Sequence, residues 1–254
     1  MILDYIKSRI LLSLMLGMVS LGQSSASVVC DEQSRQTVRD YQSIRNEQTV
    51  RDDGKTASRK ADAEQLAKAL DYFSSQKYHE CLIILQPLDQ RYRLNPRYRA
   101  YLGVCFYYEQ EYADAIKVFD VVLPQLKALA PQERSLYYWM SAESHFLLQR
   151  YQEAQPLYEQ MLPLCHDNER PDAYYRLGFC HLFAAETASN DSGATSGSAA
   201  SQDLILSEKK KAKECFEQAL LGYLKYRNTP DEKARIAQIK HMILGLKSPT
   251  DSTD

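Results

Sequence analysis

The 254-residue sequence lacks an excess of charge of either sign, and this limits the kinds of partner that it indicates. Its net charge is −2, and no polybasic or polyacidic block interrupts it. Binding to nucleic acid requires a basic surface, so the sequence gives no indication of a nucleic-acid partner. Apolar residues make up 44% of the chain and charged residues 25%, which is ordinary for a globular protein.

The sequence also lacks the short motifs that carry common chemistry. It has no phosphate-binding glycine loop, no Gly-x-Ser-x-Gly turn and no His-Glu-x-x-His pair. Two adjacent Cys-His pairs are present, Cys165-His166 and Cys180-His181. Neighbouring residues of a helix point about 100° apart, so such a pair does not converge on one zinc ion. We therefore predict a protein that is not an enzyme and that uses no metal and no cofactor.

The apolar run near the start of the chain is too short to cross a bilayer. It extends from Ile10 to Leu21, about 12 residues, whereas a membrane span needs roughly 20. Two basic residues precede the run, and small residues around Ala26 and Ser27 follow it. This order is typical of a secretory signal. We predict that residues 1–27 are a signal peptide and that the protein is periplasmic or secreted.

Six cysteines in an exported chain raise the question of disulfides and of lipidation. Five of them fall at helical positions that need a small buried side chain, and a free cysteine satisfies that need. The sixth, Cys30, would anchor the protein to a membrane if it were the acylated cysteine of a lipoprotein. Val29 stands before it, where lipoprotein signals have a small residue. Membrane contact is expected only if Cys30 is lipidated.

Residues 28–60 are polar, with few apolar positions to bury. The pentapeptide Gln-Thr-Val-Arg-Asp occurs twice, at 36–40 and 48–52. A short helical arm used by a partner would fit this repetition, but low hydrophobicity favours a solvated linker. We predict that residues 28–60 form a disordered linker.

A helical hairpin is predicted between Arg99 and Leu123. Gly103 lies within the first helix, where glycine costs about 1 kcal/mol relative to alanine, so a neighbouring helix is expected to pass close by. Ala115 and Phe119 belong to the apolar stripe of the second helix. The same pattern recurs along the chain, because Cys81 stands 34 positions before Ala115.

These repetitions resemble the tetratricopeptide repeat, a helical hairpin of about 34 residues. The resemblance implies an all-α, right-handed α-solenoid over residues 61–246. Its four units are predicted at residues 61–90, 96–124, 135–162 and 171–225. A helix after Thr229, the expected N-cap, would cover the last apolar face as a solenoid requires.

Three details of this array are predicted from local composition. A Ser/Gly/Ala-rich stretch within 187–203 separates the helices of the fourth unit and is expected to be a flexible, disordered insert. Pro87 stands late in the second helix of the first unit and is expected to kink or end it. The tail from 247 to 254 is polar and is expected to be disordered.

The resemblance implies that the first helices of successive units line a concave groove for a protein or peptide of unknown identity. An adaptor or assembly role in the cell envelope follows from it. The alternatives are a protein that binds or supports cell-wall glycan and an outer-membrane lipoprotein anchored through Cys30. The residues carried over to the groove face are Arg97, Tyr101, Tyr108, Trp139, Glu143, Tyr175 and Arg176.

Overall fold

The computed structural model describes residues 56–192, 199–227 and 229–246. The predicted signal peptide, Cys30, most of the predicted linker and the tail lie outside these residues. All nine longer elements of the described part are α-helices, which confirms the predicted all-α fold. None of the helices in those ranges is both long enough and apolar enough for a membrane span.

The chain divides into two compact units, and the first ends at Arg93. Its described part is a hairpin of α1 (residues 56–74) and α2 (Tyr78–Tyr92). Residues 56–60 were predicted to belong to a disordered linker, but they form the first turns of α1. Pro87 lies inside α2, which continues to Tyr92, so of the two predicted effects Pro87 does not end the helix, and a kink stays a prediction.

The second unit begins at Leu94 and holds three further hairpins and a final helix. Its helices are α3 (Pro96–Tyr108), α4 (Tyr112–Val122), α5 (Pro131–Leu147), α6 (Tyr151–Met161), α7 (Arg170–Ser192), α8 (Ala199–Tyr226) and α9 (Lys233–Gly245). Helices that follow one another in the chain pack together, most closely within the antiparallel pairs α3/α4, α5/α6 and α7/α8. This arrangement of sequential hairpins is that of an α-solenoid. The handedness of the array stays a prediction.

The turns of three hairpins are built alike. A glutamine occupies the left-handed backbone region at the end of each first helix, with φ between 59° and 65° at Gln76, Gln110 and Gln149. An aromatic ring at the end of the first helix then meets the tyrosine that opens the second. The ring centroids are 6.0 Å apart for Phe73–Tyr78, 5.9 Å for Tyr107–Tyr112 and 5.1 Å for Phe146–Tyr151. Edge-to-face pairs of this kind stabilise the turn beyond simple burial.

The helix glycines mark close approaches, as predicted. A Cβ atom on Gly103 would lie 2.8 Å from the ring of Phe119, and one on Gly178 would lie 2.5 Å from the ring of Phe216. Both phenylalanines are fully buried. Each glycine therefore gives room to the phenylalanine of the paired helix.

The prediction of a flexible insert at residues 187–203 is wrong for most of these residues. Residues 187–192 continue α7, and residues 199–203 begin α8. Alanine, which has the highest helix propensity, occurs in both extensions, at Ala188, Ala199 and Ala200. The two helices also pack closely, with His181 Nδ1 2.6 Å from Glu208 Oε2 near the base of the extension. Residues 193–198 of the insert lie outside the described residues.

Helix α9 covers the last hairpin, as predicted for a capping helix. Ile236 and Ile239 are buried in one core cluster with Phe216 and Tyr223 of α8. Thr229 occupies the predicted N-cap position, at the start of a short 3-10 turn, Pro230–Glu232, that leads into α9. Its side chain makes no capping hydrogen bond.

Candidate partner-binding surface

The seven residues predicted to contact a partner all lie on the first helices α3, α5 and α7. Three of them have little surface to offer, because Tyr101, Trp139 and Glu143 are only 4–6% exposed. The Trp139 ring meets Tyr158 of α6 edge to face at 5.5 Å. Burial raises the pKa of the Tyr101 hydroxyl to about 12, so it stays protonated. Because they are buried, these three side chains are poorly placed to contact a partner directly.

Arg97 joins α3 to the first turn of α5. Its Nε and one terminal nitrogen donate to the carboxylate of Glu133 at 2.9 and 2.5 Å. The hydroxyl of Tyr137, one turn along α5, donates to the same carboxylate at 3.0 Å. The hydrogen bond from Arg97 to Glu133 raises the pKa of the guanidinium. The Arg97 side chain is still 36% exposed, so part of it remains accessible.

Arg176 joins α7 to α5 in a similar way. Its Nε and terminal nitrogen donate to the two oxygens of Glu143 at 2.7 and 2.8 Å. The Tyr158 hydroxyl donates to Glu143 at 2.5 Å, and the guanidinium lies 4.5 Å from the centre of the Phe146 ring. A buried carboxylate needs such donors, because burial without them strongly disfavours its charge. Glu143 and Arg176 therefore hold three helices together.

A third carboxylate of this kind lies on α7, and the sequence did not point to it. Asp172 is 6% exposed and accepts a hydrogen bond of 2.5 Å from the Tyr223 hydroxyl. Arg227 lies 2.6 Å from its other oxygen. In the first unit, Asp62 accepts from Arg91 and Tyr92 in the same combination, but at the surface. A carboxylate with an arginine and a tyrosine thus recurs along the chain.

Tyr175 is half-buried beside the capping helix. Its ring meets Phe179 edge to face at 5.0 Å, and the Arg235 guanidinium lies 5.8 Å from its centre. Its hydroxyl donates to Gln238 at 3.3 Å. Tyr108, at the end of α3, is half-buried as well and meets Tyr107 edge to face at 5.5 Å. These two rings and the guanidiniums of Arg97 and Arg176 are the partly exposed members of the predicted set.

The five cysteines of the described residues lie in helix-packing positions. Cys180 is 1% exposed, and burial raises its pKa to about 12. Burial likewise raises the pKa of Cys165 and of Cys215 to about 11. Thiols with such pKa values are poor nucleophiles near neutral pH. Within the described ranges, no group of three or more His, Cys, Asp or Glu side chains is placed to hold a metal ion.

The described hairpins define an all-α protein built of successive helical hairpins. No protein-family model matches the chain, and no curated protein matches its sequence.

Several solved structures are similar to the chain, each with a TM-score below 0.5. A MamA structure, residue 41 to the end, from Desulfovibrio magneticus RS-1 is 15% identical, with 75% of this chain and 97% of that chain covered and a TM-score of 0.40. MamA of AMB-1 is 10% identical, with 76% and 94% covered and a TM-score of 0.43. The thermophilic tetratricopeptide protein TTC0263 of Thermus thermophilus is 12% identical, with 72% and 99% covered and a TM-score of 0.36. Likeness at this level says nothing about function.

Proposed function

We propose that the protein is an exported scaffold that binds a protein or peptide partner on the first helices of its repeats, in an adaptor or assembly role in the cell envelope. The observation that carries this proposal is a set of partly exposed aromatic and basic side chains on those helices. Tyr108 and Arg97 lie on α3, and Tyr175 and Arg176 lie on α7. Tyrosine and arginine are among the side chains that most often dominate protein interfaces.

The chemistry of this set favours a partner segment with both acidic and apolar side chains. Both arginine guanidiniums already donate hydrogen bonds to carboxylates within the protein, Arg97 to Glu133 and Arg176 to Glu143. Tyr175 offers apolar ring area together with a polar tip, whereas Tyr108 offers part of its ring and has a buried hydroxyl. A segment with carboxylates and apolar groups would complement both kinds of side chain.

Site-specific photocrosslinking in the native cell envelope tests this surface. A photoreactive phenylalanine analogue at Tyr108 or Tyr175 is expected to capture one defined partner. The matched control carries the analogue at Val121, which is 48% exposed on α4, the second helix of the same hairpin as Tyr108. Equal capture from Val121 and from the two tyrosines would sink the assignment of the surface.

Export is a separate part of the proposal and rests on the apolar and basic pattern of residues 1–27. The intact mass of the protein isolated from cells tests it. Cleavage near Ser27 and diacylation at Cys30 give different masses, so the same measurement separates an exported protein without lipid from a lipoprotein. A full-length mass in the cell interior contradicts export altogether.

A glycan-binding role is the second candidate, and the half-exposed rings of Tyr108 and Tyr175 favour it because aromatic rings can stack on sugars. Retention of the purified protein on insoluble peptidoglycan tests this role. Retention that is lost in the Tyr108→Ala variant supports it. Absence of retention leaves the protein-binding proposal as the better account.

A further inference from the structure

The outer face of α8 carries three large aliphatic side chains that the fold leaves in solvent, of which Leu224, at 39% exposed, is the least so. Leu206 is 62% exposed in the first half of the helix, and Leu221 is 61% exposed in the second half. They are 15 residues apart, so about 22 Å of helix separates them. Single exposed leucines are common on protein surfaces, so what distinguishes this face is the arrangement of charged residues between Leu206 and Leu221.

Charged residues of opposite sign lie between the two leucines. Lys210 is exposed, and Glu217, two turns further along the same face, is half-buried. Glu214 is exposed one turn before Glu217. The neighbouring Lys211 is engaged within the fold, since its Nζ donates to Glu208 at 2.7 Å. The outer face is therefore basic toward the start of the helix and acidic toward its end.

The opposite face of α8 forms the core. Ala212, Phe216, Ala219 and Tyr223 recur at spacings of four, three and four residues and are fully buried. They belong to the cluster that α9 completes. The outer face lies about half a turn around the helix from this buried stripe. It therefore points away from the helices packed on α8.

The outer face has a twofold pattern about the midpoint between residues 213 and 214. Lys210 and Glu217 are equally far from this point, and so are Leu206 and Leu221. A twofold axis through the midpoint, perpendicular to the helix, brings each of these residues to the level of its counterpart in a second copy. Such an interface is complementary to itself in both charge and apolar contact.

We propose that this face of α8 binds a second copy of the chain, with the two helices antiparallel. Lys210 of each copy then meets Glu217 of the other, with Glu214 one turn away, and each Leu206 approaches a Leu221. A parallel arrangement would place lysine against lysine, which is unfavourable. The contact is short, so the dimer is expected to be weak and dependent on concentration.

A charge exchange between two variants tests the proposal. One variant carries Lys210→Glu and the other carries Glu217→Lys. Each alone is expected to lose the dimer, because like charges then face each other at both ends of the contact. An equimolar mixture is expected to regain it, because both facing pairs are again opposite in sign. Lys240→Glu, the same change at an exposed position of α9, is the control and should dimerise like wild type.

Sedimentation velocity of the purified full chain over a wide range of concentrations provides the readout, with circular dichroism as the check that each variant is folded. The wild-type dimer is expected to weaken as the salt concentration rises, since exposed charges are screened. A monomeric wild type at all concentrations overturns the proposal. A dimer that persists in each variant by itself also overturns the proposal. A mixture of the two variants that stays monomeric does so as well.

Discussion

Glu143 on α5 and Arg176 on α7 form a two-point ion pair that joins the first helices of successive hairpins. The guanidinium donates to both carboxylate oxygens, at 2.7 and 2.8 Å. Glu143 is 5% exposed, whereas the Arg176 side chain is 29% exposed. The pair therefore has one end in the core and one end at the surface.

Loss of Arg176 should weaken the fold, because it leaves a buried carboxylate with too few donors. We expect Arg176→Ala to lower the free energy of unfolding in urea by about 3 kcal/mol. A double variant, Glu143→Leu with Arg176→Leu, should recover part of this loss because no charge is then buried. Lys117→Ala removes an exposed ion pair with Asp114 and should have no measurable effect. Equal stability of Arg176→Ala and wild type would contradict the structural role of the pair.

Because Gly178 lies so close to Phe216, adding one methyl group at position 178 should lower the stability of the protein markedly. Gly178→Ala would place Cβ 2.5 Å from the Phe216 ring, so we expect a loss of about 2 kcal/mol in the free energy of unfolding. Phe216→Leu in the same chain should relieve part of the clash. Gly245→Ala is the control, because no atom lies within 4 Å of a Cβ there. A Gly178→Ala protein as stable as the control would show that the helices are further apart.

The buried cysteines should react slowly while the protein is folded. Cys180 is buried with a pKa raised to about 12, so alkylation by iodoacetamide near neutral pH is expected to be at least about tenfold slower than for an exposed thiol. Unfolding in urea should remove the difference. Peptide mass spectrometry of the alkylated protein follows Cys180 directly. Rapid modification of Cys180 in the folded state would contradict its placement in the core.

The hydrogen-bonded carboxylate of Glu208 should make the stability of the protein depend on pH. Burial acts to raise the pKa of Glu208, but hydrogen bonds from Lys211 and His181 outweigh it, and the pKa is lowered. The contribution of Glu208 to stability is therefore present above its pKa in the unfolded chain, ~4.3, and is lost as the pH falls through its lower pKa in the folded protein.

Replacement of Glu208 by Gln tests this dependence. We expect the variant to melt at a lower temperature than wild type near neutral pH, with a gap that narrows in acid, because wild-type Glu208 becomes protonated there. Glu186→Gln, at an exposed position of α7, is the matched control and should show no such trend. A gap that stays constant or widens toward low pH would contradict the account.

The repeat fold could be predicted from sequence because its main signals are local. A glycine inside an apolar helical stripe, as at Gly103 and Gly178, is unusual enough to indicate a close neighbour. The 34-residue spacing between Cys81 and Ala115 then identified the repeated unit. The helical extensions of the fourth hairpin were missed, because serine-rich composition favours a linker and says nothing of a partner helix that stabilises the segment.

The candidate surface could be predicted only in part. Assignment by repeat register placed all seven residues on the first helices, but it could not distinguish Glu143, which is bonded inside the fold, from an exposed charge. The partner of Glu143 is 33 residues away, and no local pattern indicates the pair. The carboxylate at Asp172, held by Tyr223 and Arg227, was missed for the same reason.

The affinity of the captured partner for surface variants tests the central claim most directly. Titration calorimetry compares wild type, the Tyr108→Ala and Tyr175→Ala double variant, and Val121→Ala as control, each with its melting temperature measured. We expect the double variant to bind about tenfold more weakly or worse while it remains folded, and the control to bind like wild type. Unchanged affinity of the folded double variant would contradict the claim that the first helices form the binding surface.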